Sequence, residues 1–177
     1  HKIIDIKDCL IQNRESDLVS GIVRDWMNEF KVPVFNPEKA DNQGSVRSIL
    51  IRKGFVTKDV MAVLTAFDQS VENLPILVGR MKSITGMKSI ILNINGDLTN
   101  TFLGMDNITL WGEDKITDTI GDLKFTISPH SFFQVNPQGT EAIYGKVRQF
   151  ANLQGSETVF DLYCGTGTIA LSLAGSA

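Results

Sequence analysis

Only two cysteines, Cys9 and Cys164, occur in the 177 residues. Two thiols cannot build the disulfide framework of a small secreted domain, so a reducing cytoplasm is the expected compartment. No apolar run approaches the ~18 residues that a membrane-spanning helix needs, and no membrane partner is expected. His1 is not followed by a charged n-region and an apolar core, so no signal peptide is read here. The chain is expected to be an excised piece of a longer protein. A basic excess is missing too: 17 Lys and Arg face 20 Asp and Glu, for a net charge of -3. That balance speaks against a broad nucleic-acid footprint while leaving room for a local patch. Internal repeats and low-complexity segments are also absent. The remaining 42% hydrophobic and 21% charged residues suit one or two modest domains with a real core.

Residues 1–125 read as an α+β unit with a largely antiparallel sheet. KIIDIKDCLI alternates as a strand would. RESDLVSGIVRDWMNEF places Leu18, Val19, Ile22, Val23, Trp26, Met27 and Phe30 at helical spacing, with Ser16 as the expected N-cap. VPVFNPEKADNQG is a loop. VRSILIRKG and VMAVLTAF read as a hairpin. NLPILVGRMKSITG predicts a helix ending at Gly86, and KSIILNIN a strand closed by a turn at Asn95-Gly96-Asp97. ITLWG and LKFTIS are two further short strands.

Near residue 126 the pattern changes. HSFFQVNPQG is a loop, and TEAIYGKVRQFANL is an amphipathic helix with Ile143, Val147, Phe150 and Ala151 on one face. TVFDLY follows as a buried strand, then GTGTIALSLA as turn and helix. This order opens a doubly wound, Rossmann-like α/β domain. Residues 126–177 are its first part, and the sheet that the strand would join is expected beyond Ala177. The fold class is therefore α/β, an α+β domain followed by an incomplete Rossmann-like one.

Gly165-Thr166-Gly167-Thr168-Ile169-Ala170 fits the G-x-G-x-x-G/A dinucleotide spacing. A phosphate loop is excluded, because no Gly-Lys-Ser/Thr follows. Asp161 ends the predicted strand four residues before Gly165. A carboxylate there would repel a pyrophosphate but attract the sulfonium and ammonium of S-adenosylmethionine. The plainer alternative is a tight turn with Asp161 capping the following helix.

FDLYCGTGTIALSLA, with SFFQVNPQGTEAIYGKV and the LWG and ISP segments before it, resembles the RumA/TrmA family of RNA (uracil-5-)-methyltransferases. The resemblance is specific over about residues 110–174 and is nearest to members acting on 23S ribosomal RNA. It implies that S-adenosylmethionine is the cofactor and that ribosomal RNA is the partner. Gln134 and Tyr163 would contact the cofactor, Gly165 and Gly167 would line its site, and Asp161 would sit beside it. An amide such as Gln134 can donate to and accept from the ligand's amino-acid end. The bland alternatives are a loop side chain for Gln134 and a packing aromatic for Tyr163. Phe132 and Phe133 read as core anchors.

In the family a cysteine thiolate adds to C6 of uracil, C5 takes the methyl group, and a base removes the C5 proton. Neither cysteine here matches that nucleophile. No catalytic residue is expected in this chain, which should be inactive alone. Cys164 reads as a small apolar residue at a buried strand end. In members that carry a [4Fe-4S] cluster, IDIKDC matches the segment of the fourth ligand, Cys9. The other three cysteines, and the family's RNA-binding TRAM domain, would precede His1. A lone buried thiol is the alternative for Cys9. Arg47, Arg52 and Lys53 are candidates for RNA phosphate contacts or solvated sheet-edge charges. Ser48 stands where some relatives are expected to have histidine. His130 reads as a surface residue. Two other functions stay open: a non-catalytic RNA-binding module with a degenerate methyltransferase start, and a methyltransferase acting on protein or small molecules.

Overall fold

The computed structural model describes residues 6, 9–39 and 41–177. The chain divides into two compact units, His1–Lys53 with Asp59–Ile116, and Gly54–Lys58 with Thr117–Ala177. Most of the strand expected from KIIDIKDCLI lies outside the described residues. Its described end, Cys9 to Ile11, is turn rather than strand.

In the first unit, α1 (Arg14–Phe30) is capped by Asn13, not Ser16. Asn13 holds an extended backbone, and its Oδ1 accepts from the N–H and Oγ of Ser16 at 3.0 and 3.1 Å. Ser16 is thus already inside the first turn, three positions past the cap. Glu15 and Asp17 complement the positive end of the helix dipole. The helix stops at Lys31, whose left-handed backbone sends its N–H back to the Met27 carbonyl. Val19, Val23 and Trp26 form the buried stripe, and the Trp26 indole donates to the Asn73 carbonyl at 3.1 Å.

A four-stranded sheet receives that stripe, in the order β1 (Val46–Lys53), β2 (Val60–Ala66), β3 (Met87–Ile94), β4 (Asp106–Gly112). β1 and β2 form the expected antiparallel pair, and β3 and β4 are antiparallel as well. β2 and β3 run parallel, which a largely antiparallel reading did not foresee. A parallel pair needs a crossover, and α2 (Leu74–Met81) supplies it. That helix ends well short of Gly86, and residues 82–86 are turns. Every residue of β2 is buried, as in a central strand covered on both faces. Trp26, Leu64, Leu77, Met81, Ile90 and Leu92 form the centre of the core, each side chain of this size contributing about 1.5–3 kcal/mol by burial.

The second unit holds β5 (Ile116–Ile120) paired with β6 (Leu123–Ile127), then α3 (Pro137–Ala151) and α4 (Thr168–Leu173). Sequence reading missed β5, because the inward position between Ile116 and Ile120 is an acid, Asp118. Ile120, Phe125 and Tyr144 form a small core against Leu123 and Phe133. α3 begins at Pro137, with the Asn136 side chain accepting from Gly139 N–H at 3.0 Å. Its buried face is Thr140 and Tyr144, while Ile143 and Phe150 are exposed. The apolar face expected at Ile143, Val147 and Phe150 is therefore not the packed one.

TVFDLY is not a strand: 157–161 lack regular structure, and Phe160 is 82% exposed. A strand exists through its ladder, and no described strand pairs with this segment. Among the described residues, no helix is long and apolar enough to cross a membrane.

Candidate functional site

The turn from Asp161 to Gly167 leads from the irregular segment 157–161 into α4. Tyr163, Gly165 and Gly167 take φ of 64°, 57° and 74°. Glycine accepts such values freely; at Tyr163 the same region costs about 1–3 kcal/mol. Gly167 N–H donates to the Cys164 carbonyl at 2.8 Å, closing the turn. Gly167 occupies the N-cap of α4 and has no side chain to cap with. Asp161 does this instead, its Oδ2 accepting from Ala170 N–H at 3.1 Å. The plain reading of Asp161, helix capping, is therefore visible directly.

Two further bonds hold the turn in place. Thr166 Oγ1 donates to the Phe132 carbonyl at 3.2 Å, tying the glycines to the SFFQVN loop that carries Gln134. The Tyr144 and Thr168 hydroxyls share a hydrogen bond that joins α3 to α4. All five candidate cofactor residues fall in one unit. Gln134 and Asp161 are half-buried, Gly165 is exposed, and Tyr163 is fully exposed.

Cys164 is exposed rather than buried, because the strand expected to bury it does not form. Of the two expected core anchors, Phe133 packs against Phe125 with ring centroids 5.8 Å apart, whereas Phe132 is 70% exposed. Cys9 is half-buried. No group of three or more His, Cys, Asp or Glu suited to a metal occurs among the described residues. One thiolate cannot hold an iron–sulfur cluster, so the described residues do not fit that group.

Two of the three basic residues, Arg47 and Lys53, are committed internally in a way the sequence did not reveal. The Arg47 guanidinium donates to the carbonyls of Asn95 (2.8 Å), Asp97 and Thr99 (3.0 Å), and lies 4.0 Å over the Phe35 ring. Burial pulls its pKa down, with Asp97 opposing. Lys53 Nζ pairs with Glu15 at 2.6 Å. Arg52 is half-buried, and burial lowers its pKa. His130 is exposed, as a surface residue would be. The one sequence signal for this network is the pair of asparagines, Asn93 near the end of the apolar β3 and Asn95 just beyond it.

No family model matches the chain. Curated relatives described as uncharacterized RNA methyltransferases, from Clostridium tetani, Clostridium acetobutylicum and Halalkalibacterium halodurans, are each 43% identical along the whole chain. The chain spans only 38% of the length of each of these three. The crystal structure of Pyrococcus abyssi tRNA (uracil-54, C5)-methyltransferase in complex with S-adenosyl-L-homocysteine matches with a TM-score of 0.77 and 27% identity. That match covers 98% of this chain and 40% of the other. The mixed α/β fold, with its glycine turn opening a helix, is thus one found in RNA methyltransferases. Along its whole length the chain is similar to such RNA methyltransferases, which supports the RumA/TrmA-type resemblance of its motifs.

Proposed function

We propose that this chain carries the central domain and the first cofactor-binding turn of an S-adenosylmethionine-dependent methyltransferase acting on C5 of uridine in RNA. Residues 1–125 are the central domain and 126–177 the start of the cofactor domain. The observation that carries the reading is the built turn at 161–167, in a chain similar along its full length to RNA methyltransferases. One oxygen of Asp161 is engaged by Ala170, and the carboxylate's charge favours the cationic sulfonium and ammonium of the cofactor. Gly165 and Gly167 let the ligand approach the backbone. Tyr163 offers an exposed ring, and Gln134 an amide for the amino-acid end. The cofactor supplies the methyl group. No residue of this chain is assigned to the nucleophile or base, and the 177 residues alone are inactive. The protein works in the cytoplasm, and its substrate is ribosomal RNA of the 23S type.

The test uses full-length protein, S-adenosylmethionine and RNA tritiated at uracil C5, with 23S and tRNA transcripts in parallel. Release of tritium with formation of 5-methyluridine is expected, from the 23S transcript. Release from tRNA alone corrects the substrate. Methyl incorporation only into protein or small molecules overturns the reading.

A further inference from the structure

Residues 95–105, which link β3 to β4, are unusually well held for a loop. Asn93, fully buried, accepts from Gly104 N–H at 2.8 Å and donates to the Gly104 carbonyl at 2.9 Å and the Asn107 side chain at 2.9 Å. Asn95 donates to the Thr101 carbonyl at 2.7 Å, and Arg47 gathers three more carbonyls from the same stretch. Gly104 passes so close to the Ile94 carbonyl that a Cβ would lie 1.8 Å from it. Yet this ordered loop leaves Leu98, Phe102 and Met105 exposed. A preorganised loop that displays apolar side chains suits recognition, since the ordering cost is met before any ligand arrives.

Beside the loop is a cleft of about 230 Å³, lined among others by Phe35, Arg47, Ser48, Thr99, Thr101 and Phe102. Its volume admits one flat ring system rather than a helix or strand. Phe35 is already covered by Arg47 and stacked on Phe67, so Phe102 and the outer side of the Arg47 guanidinium offer the planar faces, the surfaces on which unstacked bases settle. Thr99 and Thr101 add donors and acceptors at the same cleft.

We propose that this cleft binds an unpaired nucleobase of single-stranded RNA, stacked on Phe102 and on the Arg47 guanidinium. The site is on the first unit, whereas the cofactor turn belongs to the second, and it rests on the reading that RNA is the substrate. Arg47 has three of its donors committed to carbonyls, so it serves as a stacking plane rather than a phosphate fork. The contribution of this site to binding therefore depends little on salt.

The experiment measures fluorescence anisotropy of full-length protein with oligo(U) and oligo(A) of about eight nucleotides, and with a hairpin duplex. Phe102→Ala is expected to weaken single-strand binding about tenfold, to leave duplex binding unchanged, and to keep the wild-type melting temperature. Phe102→Trp keeps affinity within about twofold, and Phe102→Leu behaves like alanine, because the ring rather than its apolarity is what stacks. Wild-type affinity in Phe102→Leu indicates a merely apolar patch of the kind that takes a protein partner, and it overturns the proposal. So does an unchanged Phe102→Ala, or a wild type that binds no single-stranded RNA. Methyl transfer to RNA with an indifferent Phe102 removes the cleft and leaves the function standing. Phe102-dependent binding without any methyl transfer to RNA does the reverse.

Discussion

Asn93 sits one residue from the end of β3, directly after the run Ile90, Ile91 and Leu92, and none of its surface reaches solvent. An amide is tolerated there only because both its ends are bonded, to Gly104, Asp106 and Asn107. Asn93→Ala strands the partners of those bonds and is expected to destabilise the protein by about 2–3 kcal/mol in urea denaturation. Glu15 gives a pH-dependent counterpart. Burial raises its pKa, but hydrogen bonds from Lys53 and its own backbone, with the charges of Lys53 and Arg14, outweigh this and hold it below the usual 4.5. A carboxyl lowered in the folded state contributes stability that is complete above its unfolded pKa and disappears as pH falls through the folded one. Glu15→Gln should therefore lower the melting temperature at neutral pH, and the gap to wild type should close below pH ~4. A gap that persists undiminished at pH ~2 would assign the effect to packing instead.

At the scale of elements, legibility follows how local the determining interaction is. α1 was readable because its buried stripe recurs at 3.6-residue spacing, and its cap was misplaced only because Asn13 and Ser16 both belong to the capping residues. β2 was readable as an unbroken apolar run. Its parallel partner was not, since pairing direction is set by a crossover and leaves no mark within either strand. β5 was hidden by Asp118, whose carboxylate is buried on backbone N–H groups of Phe55 and Val56 at 2.7 and 2.9 Å. TVFDLY errs the other way, its composition promising a strand that no ladder completes. Leu64→Ala in β2 should cost the 177-residue chain about 2–5 kcal/mol, whereas Phe160→Ser, on an exposed side chain, should shift stability by no more than about 0.5 kcal/mol. Comparable losses at both positions, measured by thermal melts of the two variants, would mean that 157–162 packs in solution.

For the whole molecule, the two units differ in how much core each of them buries. The first unit closes a four-stranded sheet around one core. The second has a two-stranded sheet and a small cluster centred on Phe125 and Tyr144, with Phe160, Leu162 and Phe150 left exposed. The candidate cofactor turn lies in this second unit, where the sequence motif was legible as a turn but its surroundings were not. Internal bonds from Thr166, Asp161 and Gly167 give the turn its shape. Affinity needs more than a shaped turn: a small-molecule site buries most of its ligand, and here Tyr163 and Gly165 stand open to solvent. The 177-residue chain, 38% of the length of its relatives, should accordingly give no measurable heat with S-adenosylmethionine at micromolar concentrations in titration calorimetry. Full-length protein should bind, and Asp161→Asn in that protein should weaken binding about tenfold, by removing a charge beside a cationic ligand. Micromolar affinity in the 177-residue chain would show that the turn and the SFFQVN loop already make a closed site.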